Sequence, residues 1–161
     1  KNLHFENSFS AVYALNKSRN DGKLLKDSSK YLPFIPPFHG VSELRYDINS
    51  PEHHIANGFI KAQFVYYGSQ KRVYLTDNTE TATPGYTIFN LGIGSGFTNK
   101  TGKTIFNVYV MANNLFDVAY YDHLSRLKYF TSPTGVDPNR GIHNLGRNIS
   151  FKLDIPLSFN Y

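Results

Sequence analysis

The end of the chain alternates between apolar and polar side chains, except at Pro156. One face carries Ile149, Phe151, Leu153, Ile155, Leu157, Phe159 and Tyr161. The other face carries Asn148, Ser150, Lys152, Asp154, Ser158 and Asn160. Only a β-strand repeats every second residue, so this segment is predicted to be a strand with one apolar and one polar face. At roughly 3.3 Å per residue it would be about 40 Å long, enough to cross a bilayer at a tilt.

Five further segments repeat this alternation less strictly, and stretches rich in Gly, Pro, Asn, Asp and Ser separate them. The six predicted strands lie near residues 5–16, 39–48, 55–68, 86–97, 104–112 and 148–161. Their connections alternate long, short, long, short, long, and such segregation of loop lengths is typical of transmembrane β-barrels. If the C-terminus is periplasmic, the outer loops span residues 17–37, 69–84 and 113–146.

The polar faces of these strands carry charges that a narrow barrel has no room to hold. The side chains predicted to point the same way are Glu43, Arg45, Asp47, Lys61, Gln63, Lys152 and Asp154. About eight strands are needed merely to hold packed side chains inside a closed barrel. The sequence therefore predicts an all-β fold, in which an antiparallel transmembrane β-barrel segment of six long strands forms an arc of a wider, polar-lined barrel.

Composition argues against several other classes of protein. The chain has 161 residues and starts at Lys1, which we interpret as a processed chain or a fragment. No apolar stretch approaches the roughly 18 residues of a transmembrane helix, so strands would have to carry a membrane role. The absence of Cys removes disulfides, thiolate metal sites and Cys nucleophiles. The net charge is +5, but Lys and Arg are scattered, which disfavours nucleic-acid binding.

Several motifs resemble one family of membrane proteins. The Asn-Leu-Phe-Asp-x-x-Tyr element within residues 113–120 and the Gly-Arg-Asn start at residues 146–148 resemble the C-terminal part of the β-barrel of TonB-dependent outer-membrane receptors. The His-Leu-Ser-Arg element within residues 122–128 is similar to receptors of the Bacteroidetes type. Residues 32–38 and 83–86 also fit this family, so the resemblance covers nearly the whole chain, residues 1–161.

This resemblance implies a roughly 22-stranded barrel plugged by an N-terminal globular domain. Such a receptor lies in the outer membrane of a Gram-negative bacterium and imports a siderophore or other metal chelate, cobalamin or a glycan. The present chain would supply barrel wall, extracellular loops and the C-terminal assembly strand, whereas the plug domain and about sixteen strands would lie outside it. The implied partners are the remaining strands and plug, the TonB complex, the barrel-assembly machinery and outer-membrane lipid.

Two motifs are predicted to be structural. Asn114, Leu115, Phe116 and Asp117 are expected to cap the fifth strand, with the Asn and Asp side chains satisfying turn amides. Gly146, Arg147 and Asn148 are expected to open the last strand. Arg147 would either pair with Asp117 across the hairpin or remain a solvated charge at the rim.

The chain closes on two aromatic residues of the apolar face, Phe159 and Tyr161. The family resemblance implies that they form the signal by which the barrel-assembly machinery recognises its substrates, by adding the strand to an exposed edge. The alternative is that they belong only to an interfacial aromatic girdle.

Ligand recognition is predicted to lie in the long loops, because rigid strands position loops and loops carry function. The residues expected to form an aromatic and cationic mouth for an anionic chelate or a sugar are Tyr31, Phe34, Tyr120, Tyr121, His123, Arg126, Tyr129 and Arg140. The alternative is that these aromatics anchor the loops at the lipid interface.

No catalytic residue, metal site or cofactor is predicted. His123 and Ser125 suggest a remote alternative, an outer-membrane hydrolase, but no orienting group or oxyanion donor accompanies them. The histidine spacings match no zinc motif. A second alternative is a soluble carbohydrate-binding β-sandwich, which would have to cover the terminal apolar face with another sheet.

A glycine run in the fourth predicted strand superficially resembles a phosphate loop. Gly92, Gly94 and Gly96 lack the following Lys-Ser/Thr and fall on one strand face. This pattern predicts the close approach of another backbone or local barrel curvature.

Overall fold

The computed structural model describes residues 2–20, 23–24, 29–76, 80–129 and 141–157. The strands in these ranges are β1 (Leu3–Ser10), β2 (Arg19–Asn20), β3 (Lys23–Leu24), β4 (His39–Ser50), β5 (Ile55–Tyr67), β6 (Tyr86–Thr98), β7 (Thr104–Asn113) and β8 (Asn148–Asp154). Two 3₁₀ turns lie at Pro51–His53 and Arg126–Tyr129. The described residues contain no helix that is long and apolar enough to span a membrane.

Six strands form one antiparallel sheet in the order β1-β4-β5-β6-β7-β8. The all-β, six-stranded antiparallel arrangement expected from the alternation is therefore confirmed. The sheet is not closed, because β1 and β8 are its two edges. The first long connection contains the short antiparallel pair β2–β3.

Two strands end earlier than the alternation suggests. β1 ends at Ser10, which pairs with His39, the first residue of β4, so no partner remains beyond it. Leu15 leaves the sheet and bridges Tyr31 instead. β8 ends at Asp154, and Pro156 has no N–H with which to extend the ladder. Phe159 and Tyr161 lie outside the described residues.

The register brings the expected polar residues onto one face, where hydrogen bonds cross several strands. The carboxylate of Glu43 accepts from Lys61 Nζ at 3.0 Å and from Gln63 Nε2 at 3.2 Å. Gln63 Oε1 accepts from Asn90 Nδ2 at 2.8 Å, and Asn90 Oδ1 accepts the backbone N–H of Asn114 at 2.9 Å. This polar face is thus a connected network from β4 to the end of β7.

The opposite face is apolar and uncovered. Phe5 and Phe151 are 66% and 67% exposed, and Phe64 and Ile93 in the middle of the sheet are also about half exposed. The buried apolar core of the described residues is a single side chain, Val73. Within the described ranges the sheet is therefore one layer thick, with no second sheet or helix packed on it.

The glycines of β6 make room for rings on the polar face. A Cβ at Gly94 would lie 2.5 Å from Tyr109 Cδ1 and 2.7 Å from Phe59 Cε1. Side chains of the neighbouring strands therefore occupy the space over Gly94. At Gly96 the predicted close approach of another backbone is found, since a Cβ there would lie 3.0 Å from the carbonyl oxygen of Ala56. The Arg45 guanidinium lies 4.2 Å from the Phe59 ring centre and Lys152 Nζ lies 5.6 Å from that of Tyr109. Two adjacent rings flanked by a cation on each side thus form a row across the sheet here.

We predict that Gly94→Val destabilises the sheet by about 1–3 kcal/mol, because the new side chain overlaps both rings. The measurement is the free energy of unfolding of the full-length protein by chemical denaturation. The matched control is Ser95→Val, since Ser95 faces the other side and its hydroxyl donates only to the carbonyl of Gly96. Equal stability of the two variants would show that the rings do not pack over Gly94.

Candidate functional site

Polar side chains are buried at one end of the sheet, where the long connections meet. We define the loop cluster as residues 29–38, 68–76, 80–85, 114–129 and 141–147. The buried polar side chains of the described residues lie here, each 5% exposed or less: Gln70, Glu80, Thr83, Asn114 and His123. Every buried side-chain nitrogen and oxygen in the described ranges has a hydrogen-bond partner. The cluster is therefore held together by satisfied polar contacts.

The carboxylate of Glu80 joins all three long connections. Its Oε1 accepts the backbone N–H of Phe34 at 3.2 Å and contacts His123 Nε2 at 2.8 Å. Its Oε2 accepts the backbone N–H of Tyr74 at 2.8 Å. A carboxylate removed from water is stable only when such partners replace its hydration. Glu80, which belongs to the second connection, thus links the first and third connections to it.

His123 continues this network on its other side. Its Nδ1 lies 2.8 Å from Thr83 Oγ1, which also accepts from Lys128 Nζ at 3.0 Å. Burial, and then the nearby ammonium of Lys128, lower the pKa of His123 from its ordinary value of 6.5, against the weaker opposite effect of Glu80. The neutral ring therefore donates from Nε2 to Glu80 and accepts at Nδ1 from the Thr83 hydroxyl, a tautomer assigned from its partners. We call Glu80, His123, Thr83 and Lys128 the Glu80 network.

Gln70 adds a second link between the first two connections. Its side-chain amide donates to the carbonyl of Ile35 at 2.9 Å, and its backbone exchanges two hydrogen bonds with Thr83 at 2.9 and 3.0 Å. Its side-chain oxygen accepts the N–H of Arg72 at 3.1 Å. Because Gln70 is paired with Thr83, this link is continuous with the Glu80 network.

The Asn-Leu-Phe-Asp motif forms the turn that ends β7. Asn114 and Asp117 have positive φ angles of 50° and 56°, a region that Asn and Asp tolerate better than other side chains. The side chain of Asn114 both donates to and accepts from the backbone of Val118, each at 2.9 Å. Leu115 donates its N–H to the carbonyl of Phe89 at 2.8 Å. Phe116 is exposed and stacks on the Phe89 ring.

The two structural motifs meet through the backbone. Asp117 Oδ1 accepts the N–H of Arg147 at 2.7 Å, so the expected side-chain ion pair is replaced by a main-chain hydrogen bond. A Cβ at Gly146 would lie 2.5 Å from the same oxygen, which explains a glycine at this position. Asn148 then begins β8 opposite Asn113.

A ladder of rings borders a cleft beside the Glu80 network. The ring centres of Tyr67 and Tyr86 are 4.7 Å apart, and those of Tyr86 and Tyr120 are 4.3 Å apart. These three residues line an open cleft of about 360 Å³ together with Asp122 and Asn144. We call it the tyrosine cleft.

The residues predicted to form one ligand mouth are divided among several places in the structure. Tyr121 and Tyr129 line a second cleft of about 360 Å³ together with Lys128. Tyr120 lines the tyrosine cleft, whereas His123 is buried in the Glu80 network. Tyr129 accepts the N–H of Thr81 at its hydroxyl. Tyr121 stacks on His143 with ring centres 4.0 Å apart.

The remaining predicted residues lie away from the cleft. Tyr31 packs edge-on against Tyr13, and Phe34 is exposed with a positive φ of 59°. Arg126 begins the second 3₁₀ turn. Arg140 lies outside the described residues.

Sequence reasoning missed most of the residues that hold this region together. Gln70, Glu80 and Thr83 lie in a polar connection, where periodicity carries no information. Tyr67 and Tyr86 lie at adjacent ends of two consecutive predicted strands, so their pairing across the strands could have been predicted from the alternation. Glu80 left no comparable signal, because its partners are remote in sequence.

The hydrolase pairing is not formed in the structure. The ring nitrogens of His123 contact Thr83 and Glu80, while Ser125 Oγ accepts the N–H of Leu127 at 3.2 Å. The part of the chain that the structure describes contains no group of three or more His, Cys, Asp or Glu side chains able to hold a metal ion.

The fold is similar to that of a solved transporter structure, "Copper transporter OprC", with a TM-score of 0.69 and 18% sequence identity. The match covers 96% of this chain and 21% of that chain, so the present chain spans about a fifth of the transporter's length. No family model matches the chain, and no curated protein matches it. At this identity the likeness shows the fold alone, and that fold agrees with the receptor-like sheet expected from the sequence.

We predict that Glu80→Gln loosens the loop cluster while leaving the sheet folded. The amide of Gln places N–H groups opposite hydrogen-bond donors and removes the buried charge. The local free energy of unfolding of the loop cluster should therefore fall by about 2–4 kcal/mol. Hydrogen exchange of the full-length protein should show faster exchange at the backbone amides of Phe34 and Tyr74. Glu52→Gln, in the exposed turn at the opposite end of the sheet, is the control. Unchanged exchange at both amides would contradict the role of Glu80.

We also predict that acid loosens the loop cluster through His123. The folded pKa lies below the unfolded value of 6.5, so the native state disfavours the extra proton. The stabilisation is complete above pH 6.5 and is lost as the pH falls through the folded pKa. Protection of the Tyr74 amide, corrected for intrinsic exchange, should fall over this window in wild type and in His54→Asn, but not in His123→Gln. Identical pH profiles for all three proteins would rule out His123 as the titrating group.

Proposed function

We propose that this chain is the C-terminal six-stranded arc of a roughly 22-stranded outer-membrane barrel. The complete protein would be a TonB-dependent receptor of the Bacteroidetes type that imports a nutrient ligand, such as a siderophore or other metal chelate, cobalamin or a glycan. The observation that carries this proposal is a one-layer antiparallel sheet with an uncovered apolar face and a hydrogen-bonded polar face.

The apolar face suits lipid. In water an uncovered sheet face of this size is unfavourable, whereas hydrocarbon solvates it at no cost. Aromatic rings lie at both ends of that face, as in the interfacial girdles of membrane barrels. Phe38 packs against Phe9 and Tyr66 at the end that bears the loop cluster. Phe97 stacks on Phe106 at the hairpin end.

The polar face suits a water-filled or plugged lumen. Its charges are compensated within the sheet, for example by the Lys61–Glu43 and Arg45–Asp47 pairs at 3.0 and 2.7 Å. Such a surface is expensive in hydrocarbon but favourable beside water or a polar plug.

The two ends of the sheet suit opposite sides of an outer membrane. Tight turns join β4 to β5 and β6 to β7, while the loop cluster occupies the other end. Barrels of this class have short periplasmic turns and long extracellular loops. We therefore assign the loop cluster to the cell surface and the C-terminus to the periplasm.

The rest of the receptor would supply what this chain does not. The proposed partners are the remaining strands and plug, the TonB complex and surrounding lipid. Phe159 and Tyr161 would provide the signal for the barrel-assembly machinery. We propose no enzymatic activity and no cofactor.

Fluorescent labels on adjacent residues test the lipid-facing assignment. In the full-length receptor with one cysteine, a label at Phe151→Cys should be quenched by brominated lipid chains, because this residue lies on the apolar face. A label at Ser150→Cys, on the polar face, should instead be quenched by aqueous iodide. The proposal that the apolar face meets lipid fails if the label at position 151 is shielded from both quenchers, as it would be in the core of a β-sandwich. It also fails if the protein is soluble and folded without detergent.

A further inference from the structure

The tyrosine cleft is lined by the stacked rings of Tyr67, Tyr86 and Tyr120. Tyr86 is stacked between Tyr67 and Tyr120, with interplanar angles of 18° and 31°. Because both faces of Tyr86 are covered, its hydroxyl-bearing edge is left for the cleft. Tyr120 ends the ladder, and no other described ring stacks on its outer face. The cleft thus combines an apolar ring face with phenolic hydroxyls.

Polar groups at the cleft are held in place by the backbone. Asp122 Oδ1 accepts the N–H of Leu124 at 2.8 Å, and Asn144 Oδ1 lies 3.4 Å from the N–H of Asp122. Asn144 also donates its own N–H to the carbonyl of Tyr120 at 3.0 Å. Asp122 and Asn144 both line the cleft, and these contacts with the backbone use one side-chain oxygen of each residue.

The Glu80 network fixes the same wall of the cleft. His123 follows Asp122 directly and is locked between Glu80 and Thr83 at 2.8 Å on each side. The segment that carries Tyr120 and Asp122 is therefore anchored by a buried contact. A preorganised wall binds at a lower entropic cost than a mobile loop.

The charge of the cleft selects the ligand class. Asp122 is its one ionised lining residue among those described, and neither Lys nor Arg lines it. An anionic ligand would meet this carboxylate without a compensating cation. A simple cation could use the carboxylate and the ring face, but it would leave the hydrogen-bond donors of Asn113, Asn144 and the tyrosines without acceptors. A neutral ligand rich in hydroxyls uses donors, acceptors and the ring face together.

We infer that the tyrosine cleft is a binding subsite for a neutral sugar chain. One sugar ring lies against the open face of Tyr120, and its hydroxyls bond to Asp122 and to the neighbouring amides. This inference rests on the proposed receptor function and specifies the class of nutrient that the receptor recognises.

The test uses the intact receptor in detergent and a panel of neutral oligosaccharides: maltoheptaose, cellohexaose, xylohexaose and mannohexaose. Saturation-transfer NMR detects binding, and calorimetry measures the affinity. Tyr120→Ala and Asp122→Asn should each weaken the binding of a panel member by about tenfold or more. Tyr120→Phe, which keeps the ring, should bind within about threefold of wild type. Tyr46→Ala, on the apolar face of β4, is the matched control and should leave affinity unchanged.

Three results would overturn the inference. The first is that no oligosaccharide of the panel binds at millimolar concentration. The second is binding that is insensitive to both Tyr120→Ala and Asp122→Asn. The third is that ferric citrate or choline, rather than a sugar, binds in a Tyr120-dependent manner. The lipid-quenching experiment at position 151 tests the receptor proposal separately. If a label there is quenched by brominated lipid while no sugar binds at the cleft, only the inference about the sugar site fails.

Discussion

A sheet that is one layer thick must satisfy its backbone within itself and present each face to a single environment. Antiparallel pairing on both sides meets the first requirement for β4, β5, β6 and β7, whereas the edge strands β1 and β8 are paired within the sheet on one side only. Alternation meets the second, since Phe151 and Lys152 are neighbours in sequence but lie on opposite faces. The packing on the polar face follows from the same constraint. Since the described residues form no second layer there, rings from β5 and β7 lie over Gly94.

The loop cluster is stabilised by a different interaction, the buried carboxylate of Glu80. Its two oxygens bind two backbone amides and one imidazole, each from a different part of the cluster. Because a buried carboxylate without partners is costly, each of these contacts stabilises the folded loop cluster. The wall that results includes His123 and the cleft residues Tyr120 and Asp122. Stability of the loops and shape of the tyrosine cleft thus have a common origin.

Most of the sheet could be predicted from the sequence, because alternation reports directly on which face a residue occupies. The positions at which strands end were harder to predict from the sequence. β1 stops at Ser10 because its partner begins at His39, a fact of pairing that the alternation through Leu15 does not contain. The sequence left two alternatives for Arg147, an ion pair with Asp117 or a solvated charge, and in the structure it is the main-chain N–H of Arg147 that contacts Asp117. Among the expected ligand residues, Tyr120 lines the cleft while His123 is sequestered.

The sequence by itself determined the number of long strands, the apolar and polar faces, and which connections are long. These properties are local, since each depends on residues a few positions apart. Only the tertiary structure decided which polar groups of the connections meet. Glu80 contacts Phe34 and His123, which lie 46 and 43 residues away in the sequence, and Thr83 contacts His123, which lies 40 residues away. Such partners are selected by strand register and by the need to satisfy buried charge, and neither leaves a periodic trace in the sequence.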